Sequence, residues 1–498
     1  MTRKEATVAL GSLGACLISV FMQMIDVTIV NTALPAITAE LGASRSEQLW
    51  VVAGYSLAFA CVLLTAARVG AMVGRRRMFL WSAAAFTAAS VWCGTSSTAT
   101  ELVIARITQG VAGAGMAAQT IAIITAAFRR EHHPYVFAVY GATAGFAGML
   151  GPILGGGLIT LDPFGLGWHA IFLMNLPLGV VALALAAFYL RSGPAAEREP
   201  LDPLGTVVAT SALFLLLFAL SDSQQAGWRP VHGVYIAAAV VLGGAFVAHE
   251  RATRRRGGRA LVRLDLFSHR GFAVGSALVT IFFGLFTAFV FTVSILLQDV
   301  LRFSALRTGV AMTPFALGAG AGAVLSPILV SRWGIRALSA GIAVFGGCVV
   351  VGVGYLYVES GAVNLPLVAG PVFLAGFGVG VFGVPLQPLM LAELDERAMG
   401  EASGLLPTVE QIGNSVGLAV LSALFFRAHT LSGSMIMLSA VAAAAFGLAA
   451  LTLALPDRAR AATRPWSWRC RPKSSSGALD RSTAPWRQCR SPSRPRHR

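Results

Sequence analysis

The sequence predicts an all-α integral membrane protein with fourteen transmembrane helices, and three observations predict it. Of 498 residues, 56% are hydrophobic and only 12% are charged, about half the charged fraction of a soluble domain. Apolar runs of about 20 residues, the length that crosses hydrocarbon as a helix, recur between short polar loops. Placed with the N-terminus inside, the loops hold nineteen Lys/Arg on the cytoplasmic side before the tail and five on the other. That alternation is the positive-inside pattern.

The first span, 8–31, follows Arg3 and Lys4 and runs on without a cleavage site, so it reads as a retained helix rather than a leader. Spans follow at 48–68, at 78–97 after Arg75-Arg76-Arg77, and at 101–125 before Arg129-Arg130. The fifth, 135–160, contains Gly141, Gly145, Gly148, Gly151, Pro152 and Gly155-Gly156-Gly157. In water such a composition ruins a helix. In lipid the backbone must keep its hydrogen bonds, so a helix is expected, bent at Pro152 and closely packed along its glycine face.

The sixth span, 169–190, ends before Arg191; two short spans, 203–221 and 232–250, follow. The basic run Arg251–Arg263 leads to 271–297, then 307–330, 337–357, 364–391, 401–426 and 436–455. The expected domains are an N-terminal six-helix bundle over 1–190, an extra two-helix hairpin and linker over 191–263, and a C-terminal six-helix bundle over 264–456. The basic triplet after the second span and Ser331–Arg336 after the tenth hold comparable places, as duplicated halves would.

The net charge of +16 does not point to nucleic acid. Residues 457–498 hold twelve Lys/Arg against two Asp, a net +10 in a basic tail without apolar periodicity. That tail is expected to be disordered on the cytoplasmic side, resting on anionic lipid, and to be an out-of-frame end to a shorter gene. Six cysteines show neither metal-ligand nor disulfide-framework spacing, and no metal or cofactor is expected. No P-loop or nucleophile elbow appears; Gly378-Val-Gly-Val-Phe-Gly383 matches a dinucleotide fingerprint but lies mid-span with no preceding strand, so it reads as helix packing. An enzyme is not expected.

Ionisable residues inside spans cost about 2.5–3.5 kcal/mol each and are functional candidates by default. Asp26, in the first span, is the candidate proton carrier, because a neutral carboxyl crosses between accessible states more cheaply than an anion. Arg106, in the fourth, cannot release its proton and would act as a fixed charge, with Gln109 one turn on to orient it. Glu410, in the thirteenth, is the second acid. Structural hydrogen bonds for Asp26, backbone carbonyls around Arg106 and a solvated vestibule for Glu410 are the competing readings. Glu393, Asp395, Glu396 and Arg397, and also His132 and His133, read as solvated loop residues.

At these residues the chain resembles the major facilitator superfamily, and within it the fourteen-span drug:proton antiporters, over about residues 8–455. Asp26-Val-Thr-Ile-Val-Asn31-Thr-Ala-Leu-Pro35 is similar to the first-span motif, and Arg106-x-x-Gln109-Gly110 to the fourth-span motif linked to proton coupling. Gly151-Pro152-x-x-Gly155-Gly156 resembles the fifth-span antiporter motif that separates exporters from symporters. Trp168–Gly179 resembles a stretch common in the fourteen-span group, with His169 and Ala170 replacing Arg-Trp. Gly74, Arg75 and Arg76 close the loop motif after the second span, where Ala67 replaces Gly and Ala71 replaces an Asp thought to latch the loop. Ala147 stands for a Gly of the fifth-span motif.

The resemblance implies a monomeric, multi-pass protein of the cytoplasmic membrane with both termini inside. It would export lipophilic drugs or antibiotics against protons. Asp26, Arg106 and Glu410 would couple the proton, and Asn31, Gln109 and Glu410 would touch substrate. A dedicated natural-product exporter and a non-transporting membrane sensor are the alternatives.

Overall fold

In a computed structural model, residues 3–162, 165–191, 202–256, 264–359, 363–391, 402, 405–417 and 430–453 are described, all within the unit Met1–Thr463. Among them there is no strand. The helices are α1 (Arg3–Leu41), α2 (Arg45–Val73), α3 (Arg75–Gly94), α4 (Ala99–Ala127), α5 (His133–Leu161), α6 (Ala170–Leu173), α7 (Asn175–Tyr189), α8 (Pro203–Ala226) and α9 (Pro230–Arg255). After them come α10 (Arg270–Ile295), α11 (Ala305–Trp333), α12 (Ile335–Val358), α13 (Leu365–Leu391), α14 (405–417) and α15 (Leu431–Leu453). The tail 457–498, the acidic cluster at 393–397 and most of the linker 191–263 outside α8 and α9 lie outside the described residues.

Eleven helices are long and apolar enough to cross a membrane, and α5 makes a twelfth. Its segments Tyr135–Gly148 and Ile153–Leu161 meet at 43°, and the gap between them holds Gly151 and Pro152, which has no amide hydrogen to give the preceding turn. The short α3, with Arg75–Arg77 in its first turn, and the thirteen described residues of α14 do not add to that number. Two boundaries differ most from expectation. The first helix continues ten residues past 31 to Leu41 with Pro35 inside it, and the sixth span is broken at Met174 into α6 and α7.

Helices α1, α3, α4 and α7 pack together, with α2 on α4 and α5 on α1. A second group joins α10, α11, α12, α13 and α15, and α5 reaches it through both α11 and α13. The α8–α9 hairpin pairs with itself and leans on α2, where Leu57, Ala60 and Leu217 are buried together beside Trp50 and Phe218.

Backbone approach, rather than large side chains, joins α11 to α13. A Cβ on Gly318 would stand 1.9 Å from Phe373 O, and one on Gly322 2.2 Å from Phe377 O. In return, a Cβ on Gly376 would stand 2.0 Å from Phe315 O, and one on Gly380 2.1 Å from Ala319 O. Gly378 faces Gly341 O of α12 in the same manner, at 2.3 Å. The fingerprint-like Gly378–Gly383 run is therefore a packing surface, as small residues are in membrane helices.

Candidate functional site

Three of the residues singled out in the sequence meet where α1 crosses α4. Asp26, Arg106 and Gln109 are all buried, at 0%, 1% and 0% exposure. Arg106 pairs with Asp26 through Nη1 and Oδ2. The same Nη1 donates to Gln109 Oε1 at 2.7 Å, and Nε donates to Val51 O at 3.0 Å. Gln109 Nε2 donates to Asp26 Oδ1 at 2.8 Å, so both carboxylate oxygens accept. The one-turn spacing of Arg106 and Gln109 puts them on one face of α4 and lets the amide bridge the ion pair. Both competing readings hold in part: a carbonyl does accept from Arg106, and Asp26 is hydrogen-bonded to its neighbours.

Five residues not singled out for chemistry complete the centre. Ser90 and Cys93 of α3 reach Gln109, the hydroxyl oxygen accepting from Nε2 at 3.2 Å and the thiol lying 3.5 Å from Oε1. Asn175 Nδ2 donates to Ser90 Oγ at 2.9 Å. The Tyr55 ring lies 4.5 Å from the Arg106 guanidinium carbon, with Phe172 at 5.8 Å on the ring-centroid measure; such faces favour a desolvated cation. Asn175 carried a signal, as an amide inside an apolar run. Ser90 and Tyr55 did not, since serines and tyrosines occur on many helix faces.

The other candidates lie apart from this centre. Glu410 of α14 is half-buried and accepts from Gln387 of α13. It sits near the contact of α13 with α5, where a Cβ on Gly141 would stand 2.6 Å from Val384. Asn31 is exposed, and its Nδ2 turns back to Val27 O at 3.3 Å, so it does not join Asp26. His133 departs from its expected solvated place: it is buried at the start of α5 with Nε2 3.0 Å from Phe128 O. His132 is exposed as expected.

The antiporter-like glycines pack α5 on α1 one turn beyond Asp26. A Cβ on Gly151 would stand 1.9 Å from Thr28 Oγ1 and 2.9 Å from Ile29 N. One on Gly155 would meet Ile29 at 2.9 Å. Gly156 is half-buried. Close packing does not extend along the whole face: Gly145, Gly148 and Gly157 have no neighbour within 4 Å of a Cβ. From the next side, Ile153 fills the space a Cβ on Gly309 of α11 would need, at 2.2 Å.

The loop after α2 is a single residue. Gly74, at φ +103°, ends α2 and begins α3, a backbone conformation open to glycine. With alanine at 71, arginines hold the loop. Arg75 Nη1 donates to Ala122 O of α4 at 2.9 Å and Arg76 Nη2 to Ala187 O of α7 at 2.8 Å. Ala187 lies in the last turn of α7, where cations are favoured, and Ala122 in the turn before the last of α4. His169 takes up its own compensation, lying 3.8 Å from Glu40 Oε1 while Trp168 Nε1 donates to Glu40 Oε2 at 2.8 Å. Among the described residues no His/Cys/Asp/Glu group is arranged to hold a metal.

A buried ion pair at the crossing of long apolar helices, with glycine-lined contacts between two helix groups, defines a polytopic membrane protein. The family model of the Major Facilitator Superfamily matches residues 16–418, and the chain belongs to that family. It is 38% identical to the probable actinorhodin transporter of Streptomyces coelicolor, over 83% of this chain and 72% of that one. It is 32% identical to a multidrug resistance protein B homolog of Mycobacterium tuberculosis, over 82% and 75%. With the multidrug resistance protein Stp of the same organism it shares 30% over 81% and 73%. In fold it is similar to the human organic anion transporter MFSD10, with a TM-score of 0.58, 16% identity, and coverage of 90% of this chain and 99% of that one.

Proposed function

We propose that the chain is a proton-coupled antiporter that exports lipophilic drugs or antibiotics across the cytoplasmic membrane by alternating access. The observation that carries this reading is the dry Asp26–Arg106–Gln109 centre. In it a carboxylate and a permanent cation share one water-free site, with an amide bridging them. Exchanging that partner for a proton costs the ion pair its hydrogen bonds and gives the helices a reason to move. Glu410 with Gln387, beside the α5–α13 contact, is the second acid on the path, and Asn31 and Gln109 are the candidate substrate contacts in the first and fourth spans.

The architecture we assign has fourteen spans: bundles over 1–190 and 264–456, with α8 and α9 as the extra hairpin between them. Both termini lie inside, supported by the nineteen-to-five charge bias, and the working unit is the monomer. A potential of 100 mV is worth about 2.3 kcal/mol per charge moved. At about 1.4 kcal/mol per decade, one net charge sustains a substrate gradient of roughly fiftyfold. No ATP is needed for resistance at that scale.

A second reading, dedicated export of one natural product by its producer, is supported by the 38% identity to the probable actinorhodin transporter. Efflux of ethidium and a panel of antibiotics separates the two. For the coupling itself, the full chain in proteoliposomes with an imposed proton gradient is expected to drive ethidium accumulation that Asp26→Asn abolishes. Equal accumulation by Asp26→Asn would sink the proposal.

A further inference from the structure

Asn414 of α14 has no place in the coupling reaction described so far. It lies one turn beyond Glu410 on the same helix face, with the two Cβ atoms about 5–6 Å apart. Backbone contact holds α14 close to α10: a Cβ on Gly413 would stand 2.5 Å from Thr280 O, and one on Gly417 2.2 Å from Gly284 Cα. At that separation the short Thr287 side chain reaches across, and its Oγ1 donates to Asn414 Oδ1 at 2.6 Å.

The direction of that bond follows from the helix. Thr280 and Thr292 turn their hydroxyls back to the carbonyls of Ser276 and Ala288, at 3.0 and 2.8 Å. Thr287 makes no such bond among the described residues, so its proton has Asn414 as acceptor. The amide is thereby oriented, with its oxygen toward α10 and its nitrogen away from it.

Asn414 Nδ2 is not enclosed and has no partner among the described residues. Glu410 accepts from Gln387 with Oε1, and Oε2 is likewise without a described partner. Both residues are half-buried. A bare amide hydrogen or carboxylate oxygen is not tolerated against lipid tails, so both groups face a space that holds polar matter. Gln387 stands one turn beyond Val384, the α13 residue that meets Gly141 of α5, so that space adjoins the meeting of the two helix groups. Phe283, one turn before Thr287, is half-buried on the same side of α10.

The chemistry of the pair is selective. Nδ2 offers donors only, and a carboxylate oxygen accepts only. A molecule that satisfies both brings an acceptor to Asn414 and a donor to Glu410, about one helix turn apart, on a body that suits an aromatic side chain. We propose that Asn414, oriented by Thr287, binds a carbonyl oxygen of the exported molecule while Glu410 takes its hydroxyl or amine hydrogen, so that the substrates are planar aromatics bearing a ketone or quinone. The inference rests on the reading of the chain as an exporter of lipophilic drugs or antibiotics, and not on how the proton is coupled.

The test is binding of two planar, fluorescent, cationic probes to the full chain in detergent, with no gradient: doxorubicin, which carries quinone carbonyls, and ethidium, which carries none. Asn414→Leu should weaken doxorubicin by about tenfold, the loss of one hydrogen bond, and leave ethidium within about twofold. Thr287→Val, which frees the amide to turn, should weaken doxorubicin by about threefold, and Thr287→Ser, which keeps the hydroxyl, should restore it. A merely structural role would move both probes together. If Asn414→Leu does not fold, Thr287→Val with its serine rescue carries the comparison. Equal loss of both probes, undiminished doxorubicin binding, or a wild type that binds ethidium alone overturns the carbonyl site and leaves the exporter standing. A wild type that binds neither probe overturns both.

Discussion

Arg106 uses one nitrogen to bind both Asp26 and Gln109 and another to bind Val51 O, which a lysine ammonium cannot span. Arg106→Lys is therefore expected to insert normally but to lose proton-driven ethidium transport by about a hundredfold, since the carboxylate keeps a charge and loses its geometry. Arg106→Ala leaves Asp26 buried without its cation and with Gln109 as its remaining partner, a loss of about 3–5 kcal/mol in the stability measured by denaturation in detergent. Adding Asp26→Asn to that variant should recover most of it, because the two residues share one interaction. At this scale the sequence was informative where a residue was chemically out of place. An Asp, an Arg and a Glu inside apolar runs announce themselves by cost. Ser90 and Tyr55 are cheap anywhere in a helix, and only the three-dimensional crossing of α2, α3 and α4 brings them to Gln109 and Arg106.

Glycines of one helix separate by what faces them. Gly151→Ala places a methyl against Thr28 Oγ1 and the Ile29 backbone, so α5 must part from α1, and transport with stability should fall together. Gly145→Ala and Gly148→Ala have open space and gain helix propensity; they should be neutral or stabilise by up to about 1 kcal/mol each in the same denaturation series. Composition alone marked all of these glycines alike, because a glycine count holds no information about the facing helix. The α8 N-terminus offers a pH-dependent case. Burial pushes the Asp202 carboxyl up, but the Gly205 N–H, at 2.9 Å, and His249, at 2.8 Å, outweigh it and hold the group below the usual carboxylate range. Such a group adds stability above the unfolded carboxylate pKa of about 3.9 and loses it as pH falls through the lower folded value. Asp202→Ala should cost about 1 kcal/mol at neutral pH and flatten the acid limb of hairpin protection from proteolysis.

Over the whole molecule, the recurrence of long apolar helices was legible because the bilayer imposes length and polarity on every helix alike. How the helix groups meet was not, since α5 touches α11 and α13 through Ile153 and Gly141, residues indistinguishable from other lipid-compatible positions. The α8–α9 hairpin packs on α2 through one apolar seam. Replacing 203–255 by a short flexible linker is expected to leave a folded, ethidium-transporting protein of lower thermal stability, readable by size exclusion and efflux. Loss of transport with retained folding would mean that the hairpin takes part in the cycle.

The single residue between α2 and α3 sets a mechanical tolerance on the buried centre. Gly74 fixes where α3 begins, and Arg75 and Arg76 tie that start to α4 and α7. Ser90 lies sixteen residues beyond Gly74, about 24 Å along the helix at a rise of about 1.5 Å per residue. A tilt of about 3° carries it by about 1 Å, which stretches its 2.9 Å bond from Asn175 beyond hydrogen-bonding range. The geometry of the centre therefore tolerates only a few degrees of tilt of α3 relative to α7 before the Ser90–Asn175 contact is lost.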